Sequence, residues 1–221
     1  MRKKEPVTPD WQRQERTMTL EGEPVLSYVL NWPETAGCPR LTRYYRRAAR
    51  LWRARWERRL YPLACLELAD CRARSRPFRP WNCELSGSAP WETEERASIV
   101  LTARETGGSG RSRLVTRGAV WRLRDGTPLP LSSVLPPEYR KQKVLLAALN
   151  RAAEECRRGG DILLDGDLET RLHRLVDRQN FWLEENAAAF PLPQCAAAPA
   201  AEEERAEEAQ QRARRREESK A

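Results

Sequence analysis

A single histidine, His173, serves the whole 221-residue chain, and five lysines stand against 35 arginines. Most acid–base and nucleophilic catalysis near neutral pH uses a histidine, a tuned carboxylate pair or an activated Cys, Ser or Lys. Here that repertoire is thin. His173 lies four positions from both Glu169 and Asp177, a helix-surface ion-pair arrangement. Six cysteines are present, yet no Cys-x-x-Cys pair, so zinc-ligand spacing is missing. No Gly-x-Ser-x-Gly, His-Glu-x-x-His or Gly-x-x-x-x-Gly-Lys-Ser/Thr pattern occurs. No apolar run approaches the roughly 20 residues of a membrane span, and the start, MRKKEPVTPDWQRQERTMTL, lacks the apolar core of a signal peptide. The expectation is a soluble, cytoplasmic, non-enzymatic protein without cofactor or metal, its thiols reduced and mostly buried.

What is present is charge, unevenly placed. Of the net +8, residues 40 to 80 carry thirteen Arg against Glu57, Glu67 and Asp70. An arginine-rich segment suits bidentate recognition of phosphate or carboxylate, and equally a GC-rich genome. A mean hydropathy of −0.78 with 33% charged residues and eight Trp describes one core with solvated appendages.

Along the chain, residues 1–23 read as a disordered lead-in, and Pro24 to Asn31 as a short strand closed by Trp32-Pro33. A helix is predicted after Pro39. At about 100° per residue, Leu41, Tyr45, Ala48, Ala49, Trp52, Trp56 and Leu60 share one arc, opposite Arg43, Arg46, Arg47, Arg50, Arg53 and Arg58. Pro62 should break or kink it before a second helical stretch to about Arg74. From Pro80 the period becomes two: 81–85, 97–103 and 114–123 read as an antiparallel meander. Helices are predicted over 138–158 and, capped by Asp167, over 168–177; a closing hairpin follows over 181–192, with Asn186 suited to its turn. The end, 201–221, has no apolar face and reads as a charged, solvated helical tail.

Two smaller clusters have simpler explanations than ligand binding. Asp161, Asp165, Asp167 and Glu169 lack the twelve-residue calcium loop and suit turn and cap duty. Gly107 to Gly110, GGSG, is followed by no lysine or helix start and reads as a flexible joint between strands. For nucleic acid, the arginine arc could neutralise several phosphates, but the tryptophans of the same helix point the other way.

The stretch TGGSGRSRLVTRGAVWRLRDGTPLPLSSVLP, Thr106 to Pro136, resembles an RsiV-type domain of unknown function, in its glycine-containing joint, aromatic-leucine strand, glycine turn and leucine-serine step. NFWLEENAAAFPLPQCAAAPAA, Asn180 to Ala201, resembles the same family's hairpin with an acidic turn and an alanine-proline close. SRPFRPW, Ser75 to Trp81, and the Tyr-Tyr-Arg helix fit the layout. Such domains occur in the ectodomains of RsiV-like bacterial anti-sigma factors and beside peptidoglycan-deacetylase domains. The resemblance covers about residues 24 to 200. It implies an α+β fold, an antiparallel β-sheet with helices packed on one face, and a non-catalytic binding or sensing role for a lysozyme-like or envelope-related protein partner, outside the cell in most members. Gly108-Ser109-Gly110 stand where the family has Gly-Ala-His, which makes these three candidate binding residues beside the six arginines. The charged tail, standing in place of a last apolar segment, implies a sheet edge open to self-association. An arginine-rich nucleic-acid binder is the alternative.

Overall fold

A computed structural model of the chain describes residues 9–35, 37–110, 112–140, 147, 179–185 and 187–191. The first element is a strand where a disordered lead-in was predicted. β1 (Asp10–Leu20) pairs antiparallel with β2 (Glu23–Glu34), so residues 10–20 belong to the sheet. Its sequence hides this because β1 is an edge strand with little buried surface, and Arg13, Glu15 and Arg16 blunt its open side. The turn explains the pairing: Glu21 and Gly22 both have positive φ, 53° and 85°, the backbone that matches the twist of a two-residue hairpin.

After β2 the chain crosses over through helices. α1 (Pro39–Arg55) starts with proline in the first turn, where its missing N–H costs nothing. A π-helical turn (Trp56–Leu60) then leads without a break into α2 (Tyr61–Ala73). Pro62 is the physical reason for that turn. Its ring would clash with the carbonyl four residues back in an α-helix. The widened turn, in which the Tyr61 N–H reaches the Trp56 carbonyl five residues back, absorbs the misfit. The predicted kink is thus a local widening within one helical run.

The sheet runs β1-β2-β3-β4-β5-β6, with β3 (Trp81–Glu92), β4 (Arg96–Thr106), β5 (Ser112–Arg122) and β6 (Thr127–Leu129). β3, β4 and β5 form the expected antiparallel meander, each strand longer than the sequence indicated, and β6 adds a fourth strand that was not expected. β2 and β3 pair in parallel, Leu26 beside Trp81 and Leu30 beside Leu85, which only a helical crossover of this length permits. The fold is therefore α+β, mostly antiparallel.

One sheet face presents Leu26, Tyr28, Leu30, Leu85, Ile99, Leu101 and Trp121 to Leu41, Tyr45, Ala49 and Trp56 of the helix. The opposite face of β4 and β5 is covered by a small hairpin, β7 (Trp182–Leu183) with β8 (Ala188–Ala189). Phe181 packs there with Val120, Leu129 and Leu131. The Asn180 side chain accepts from the Gly118 N–H and donates to the Thr116 carbonyl, and the Leu183 N–H donates to Ser98 Oγ. Of the helix predicted over 138–158, the structure describes only a 3-10 turn (Pro137–Arg140) and Ala147, which is helical. The helix over 168–177, Asn186 and the tail lie outside the described residues. No helix among the described residues is long and apolar enough to cross a membrane.

Candidate functional site

The helix keeps its two residue types apart, as the wheel requires, but the aromatic side is not uniformly buried. Leu41, Tyr45, Ala49, Trp56 and Leu60 are buried, whereas Ala48 and Trp52 are only partly so. The buried end is tied down by polar contacts. Trp56 Nε1 donates to Glu105 Oε1 at 3.0 Å, while Arg55 grips the same carboxylate through Nε at 2.6 Å and Nη2 at 2.9 Å. Burial pushes the Glu105 carboxyl up; the bonds from Arg55 and Trp56 and the Arg55 charge outweigh it, so the group lies below its ordinary value. Tyr28 and Arg16 both donate to Glu57 Oε1, fastening the helix to β1 and β2.

The arginine side forms a groove with the first two strands. Thr35, Pro39, Thr42, Arg43, Arg47 and Arg50 line its wider part, about 570 Å³. A second hollow of about 170 Å³ adjoins it, between Gln14, Leu30 and Trp32 of the strands and Arg53 of the helix, and shares Arg46 and Arg50 with the first. Five of the six arginines singled out in the sequence are thus brought together; Arg58, on the π turn, is exposed and borders neither part. The spacing i, i+3, i+4, i+7, i+10 is what aligns them.

Glu34 is the carboxylate paired into this row. Its Oε1 accepts from Arg46 Nη2 at 2.7 Å and Nε at 3.0 Å, and from Trp32 Nε1 at 3.1 Å. Arg46 and then Trp32 hold the Glu34 carboxyl below its ordinary value. Arg43, Arg47, Arg50 and Arg53 make no ion pair among the described residues. The buried Thr35 hydroxyl at the groove's wide end likewise has no hydrogen-bond partner there. Four unpaired guanidiniums and a buried polar atom without a partner make a surface suited to an anion. Gln14, Trp32 and Thr35 were not singled out from the sequence, because nothing in a strand's own residues shows which helix face will lie beside it.

Gly108, Ser109 and Gly110 separate. Gly110 closes the β4–β5 turn with φ 76°, its N–H bonded to the Gly107 carbonyl at 3.0 Å. Gly108 and Ser109 instead border a separate cleft at the β4–β5 turn, with Glu67 of α2, Trp81 and Arg113. Among the described residues no group of three or more His, Cys, Asp or Glu is placed to hold a metal ion.

No family model matches the chain, and no curated protein matches it. Solved structures do. A DUF3298 family protein from Pseudomonas aeruginosa PAO1 superimposes with a TM-score of 0.55 at 15% identity, covering 89% of this chain and 87% of that one. A member of the same family from Bacteroides fragilis gives 0.52 at 11% identity, over 85% and 84%. At these identities the comparison establishes a shared fold, that of a family whose function is unknown.

Proposed function

We propose that this chain is a non-catalytic binding domain that recognises an acidic protein surface through the groove between α1 and β1–β2. One observation carries the reading: the guanidiniums of Arg43, Arg47, Arg50 and Arg53 border one groove and make no ion pair among the described residues. Arginines kept for stability would be expected to meet carboxylates, as Arg55, Arg16 and Arg72 do. The planar guanidinium fork fits carboxylates bidentately, so a partner with several surface Asp and Glu is the complementary object.

The resemblance to RsiV-type domains points separately to sensing of a lysozyme-like or envelope-related protein; of these, an acidic envelope-related partner fits the groove, whereas lysozyme, itself basic, would have to use another surface. The groove is tested with the full chain and a charge-reversal variant, R43E/R47E/R50E, against a poly-glutamate peptide by biolayer interferometry, with lysozyme as a second analyte. The expected result is salt-sensitive binding of the peptide, lost in the variant while its melting temperature stays unchanged, and no binding of lysozyme through the groove. Equal affinity of variant and parent for the peptide, or no binding of it, overturns the reading.

A second reading has one observation of its own. The tryptophans of the helix face the core, but Trp32 of β2 borders the same groove as Arg46, Arg50 and Arg53. An aromatic beside a basic track is the arrangement that single-stranded nucleic acid uses. If all five arginines met phosphates, the log-log salt slope would be about −3.5, a loss of roughly 100-fold in affinity between 50 and 200 mM salt. Oligonucleotide titration at those two concentrations decides it; a flat response removes the nucleic-acid reading.

A further inference from the structure

Separate from the groove, the cleft of about 390 Å³ bordered by Gly108, Ser109, Glu67, Trp81, Glu105 and Arg113 has its own charge pattern. Its charges are of two kinds. Glu105 is already answered: both oxygens are taken by the Arg55 fork and one of them also by Trp56, so Glu105 and Arg55 cancel as a unit. Arg113 approaches Glu105 Oε2 only to 3.8 Å, beyond hydrogen-bond reach, with its side chain 64% exposed. Its donors are therefore available to the cleft. Glu67 is the converse. Its Oε2 accepts the Trp81 indole N–H, which fixes the carboxylate's position, but among the described residues no cation answers its charge.

The glycine at 108 shows how closely the turn and this carboxylate approach each other. Gly108 does not have the positive φ that would demand glycine, unlike Gly110. What it lacks is space: a Cβ there would stand 2.5 Å from Glu67 Oε1 and 2.9 Å from its carboxyl carbon. Glycine at this position lets the turn lie against the carboxylate without pushing it out of the cleft.

We propose that this cleft binds a small zwitterion of the α-amino-acid class, its ammonium on Glu67 and its carboxylate on Arg113. Glu67, with no cation beside it among the described residues, and Arg113, the excess positive charge of the Arg55–Glu105–Arg113 cluster, call for a ligand that carries both signs. A ligand with one charge would use only one of the two groups. The volume, near the lower end of the roughly 300–1,000 Å³ of small-molecule sites, suits a molecule of that size. The guanidinium matches the carboxylate in shape, and Ser109 offers a hydroxyl at the rim.

The test is isothermal titration calorimetry of the full chain with each of the twenty amino acids at up to about 10 mM, with acetate, methylamine, and the N-acetyl and amide derivatives of any binder. At least one free amino acid is expected to bind, with both blocked derivatives about tenfold weaker or worse. E67Q and R113A should each weaken binding by about tenfold or more while unliganded melting temperatures stay at the parent value. R50E, in the groove, should leave it unaltered, so that failure here and failure of the groove reading are separable. No heat with any amino acid, equal binding by the singly charged probes, or full binding by both E67Q and R113A overturns the proposal.

Discussion

Replacing Trp56 by alanine tests the helix-to-sheet junction most directly, because this side chain is fully buried and has an apolar and a polar attachment. A buried tryptophan hides about 150–250 Å², which at about 25 cal/mol per Å² corresponds to about 4–6 kcal/mol before the methyl that alanine keeps is subtracted. Large-to-small core substitutions of this kind measure about 3–5 kcal/mol. The lost indole N–H adds little beyond that, since the Arg55 fork still holds Glu105. W56F keeps an aromatic ring near Tyr28, whose centroid lies 5.7 Å from the indole's, and loses the N–H together with the smaller part of the buried area, so the cost falls to about 1–2 kcal/mol. Trp52, one turn earlier and partly exposed, should cost about 2 kcal/mol as W52A. The order W56A, then W52A, then W56F is read from urea unfolding followed by far-UV circular dichroism, with equal slopes required before midpoints are compared. Since such a domain has only about 5–15 kcal/mol in total, the W56A loss is large. A W56A cost below about 2 kcal/mol, or one no greater than that of W52A, refutes the reasoning, because the indole would then not be the clamp described.

Three further outcomes follow from the same contacts. Glu105 lies below its unfolded value despite burial, so its contribution is complete above about pH 4.3 and is lost as pH falls through the folded value; the parent's urea midpoint should drop more steeply than that of E105Q below about pH 4.3, and parallel curves contradict this. Burial, and secondarily Glu105, push the Cys83 thiol up to about 12, so at pH 8 it is about one part in ten thousand thiolate; peptide mapping after brief iodoacetamide treatment should find Cys65, partly exposed on α2, labelled well before Cys83, and equal labelling refutes the buried assignment. A methyl at Gly118 would stand 2.6 Å from the Trp182 ring and 3.1 Å from the Phe181 carbonyl oxygen, so G118A should displace the β7–β8 hairpin at a cost of about 1–3 kcal/mol and speed proteolysis near residue 182; unchanged proteolysis and midpoint would show the hairpin is not seated there.

The sequence patterns that proved readable were those created by burial on one side of a regular element. The arc Leu41, Tyr45, Ala49, Trp56 reports the core directly, and alternation through Ala97, Ile99, Leu101 and Ala103 does the same for β4. β1 left no such trace because an edge strand with much of its length in water needs no alternation; its evidence lay in the Glu21-Gly22 turn and in its well-patterned partner β2. The parallel β2–β3 pairing was equally hidden, since strand neighbours across a helical crossover are chosen by long-range packing. The π turn sits between: Pro62 announced a disturbance, but whether a helix breaks or widens depends on what it must keep in contact on either side, here Trp56 with the sheet and Ala64 and Leu68 with Val25.

For the candidate site, residue type was legible and role was not. The arginines of residues 40 to 80 looked like one basic surface, yet several of them are structural. Arg46 pairs with Glu34, Arg55 with Glu105, Arg72 with Glu21 and Glu23, and Arg74 and Arg76 with Asp70. Four of these acids, Glu21, Glu23, Glu34 and Glu105, come from strands or a strand turn, so no local reading of the helix could have assigned the pairs. Pairing leaves eight of the thirteen over among the described residues, and four of those, Arg43, Arg47, Arg50 and Arg53, border the groove while Arg40, Arg58, Arg59 and Arg79 do not. Surface charges without partners contribute little to stability, commonly within about 0.5 kcal/mol. Reversing Arg43, Arg47 or Arg50 therefore removes no described ion pair, and a loss of binding in those variants at unchanged melting temperature reports on recognition.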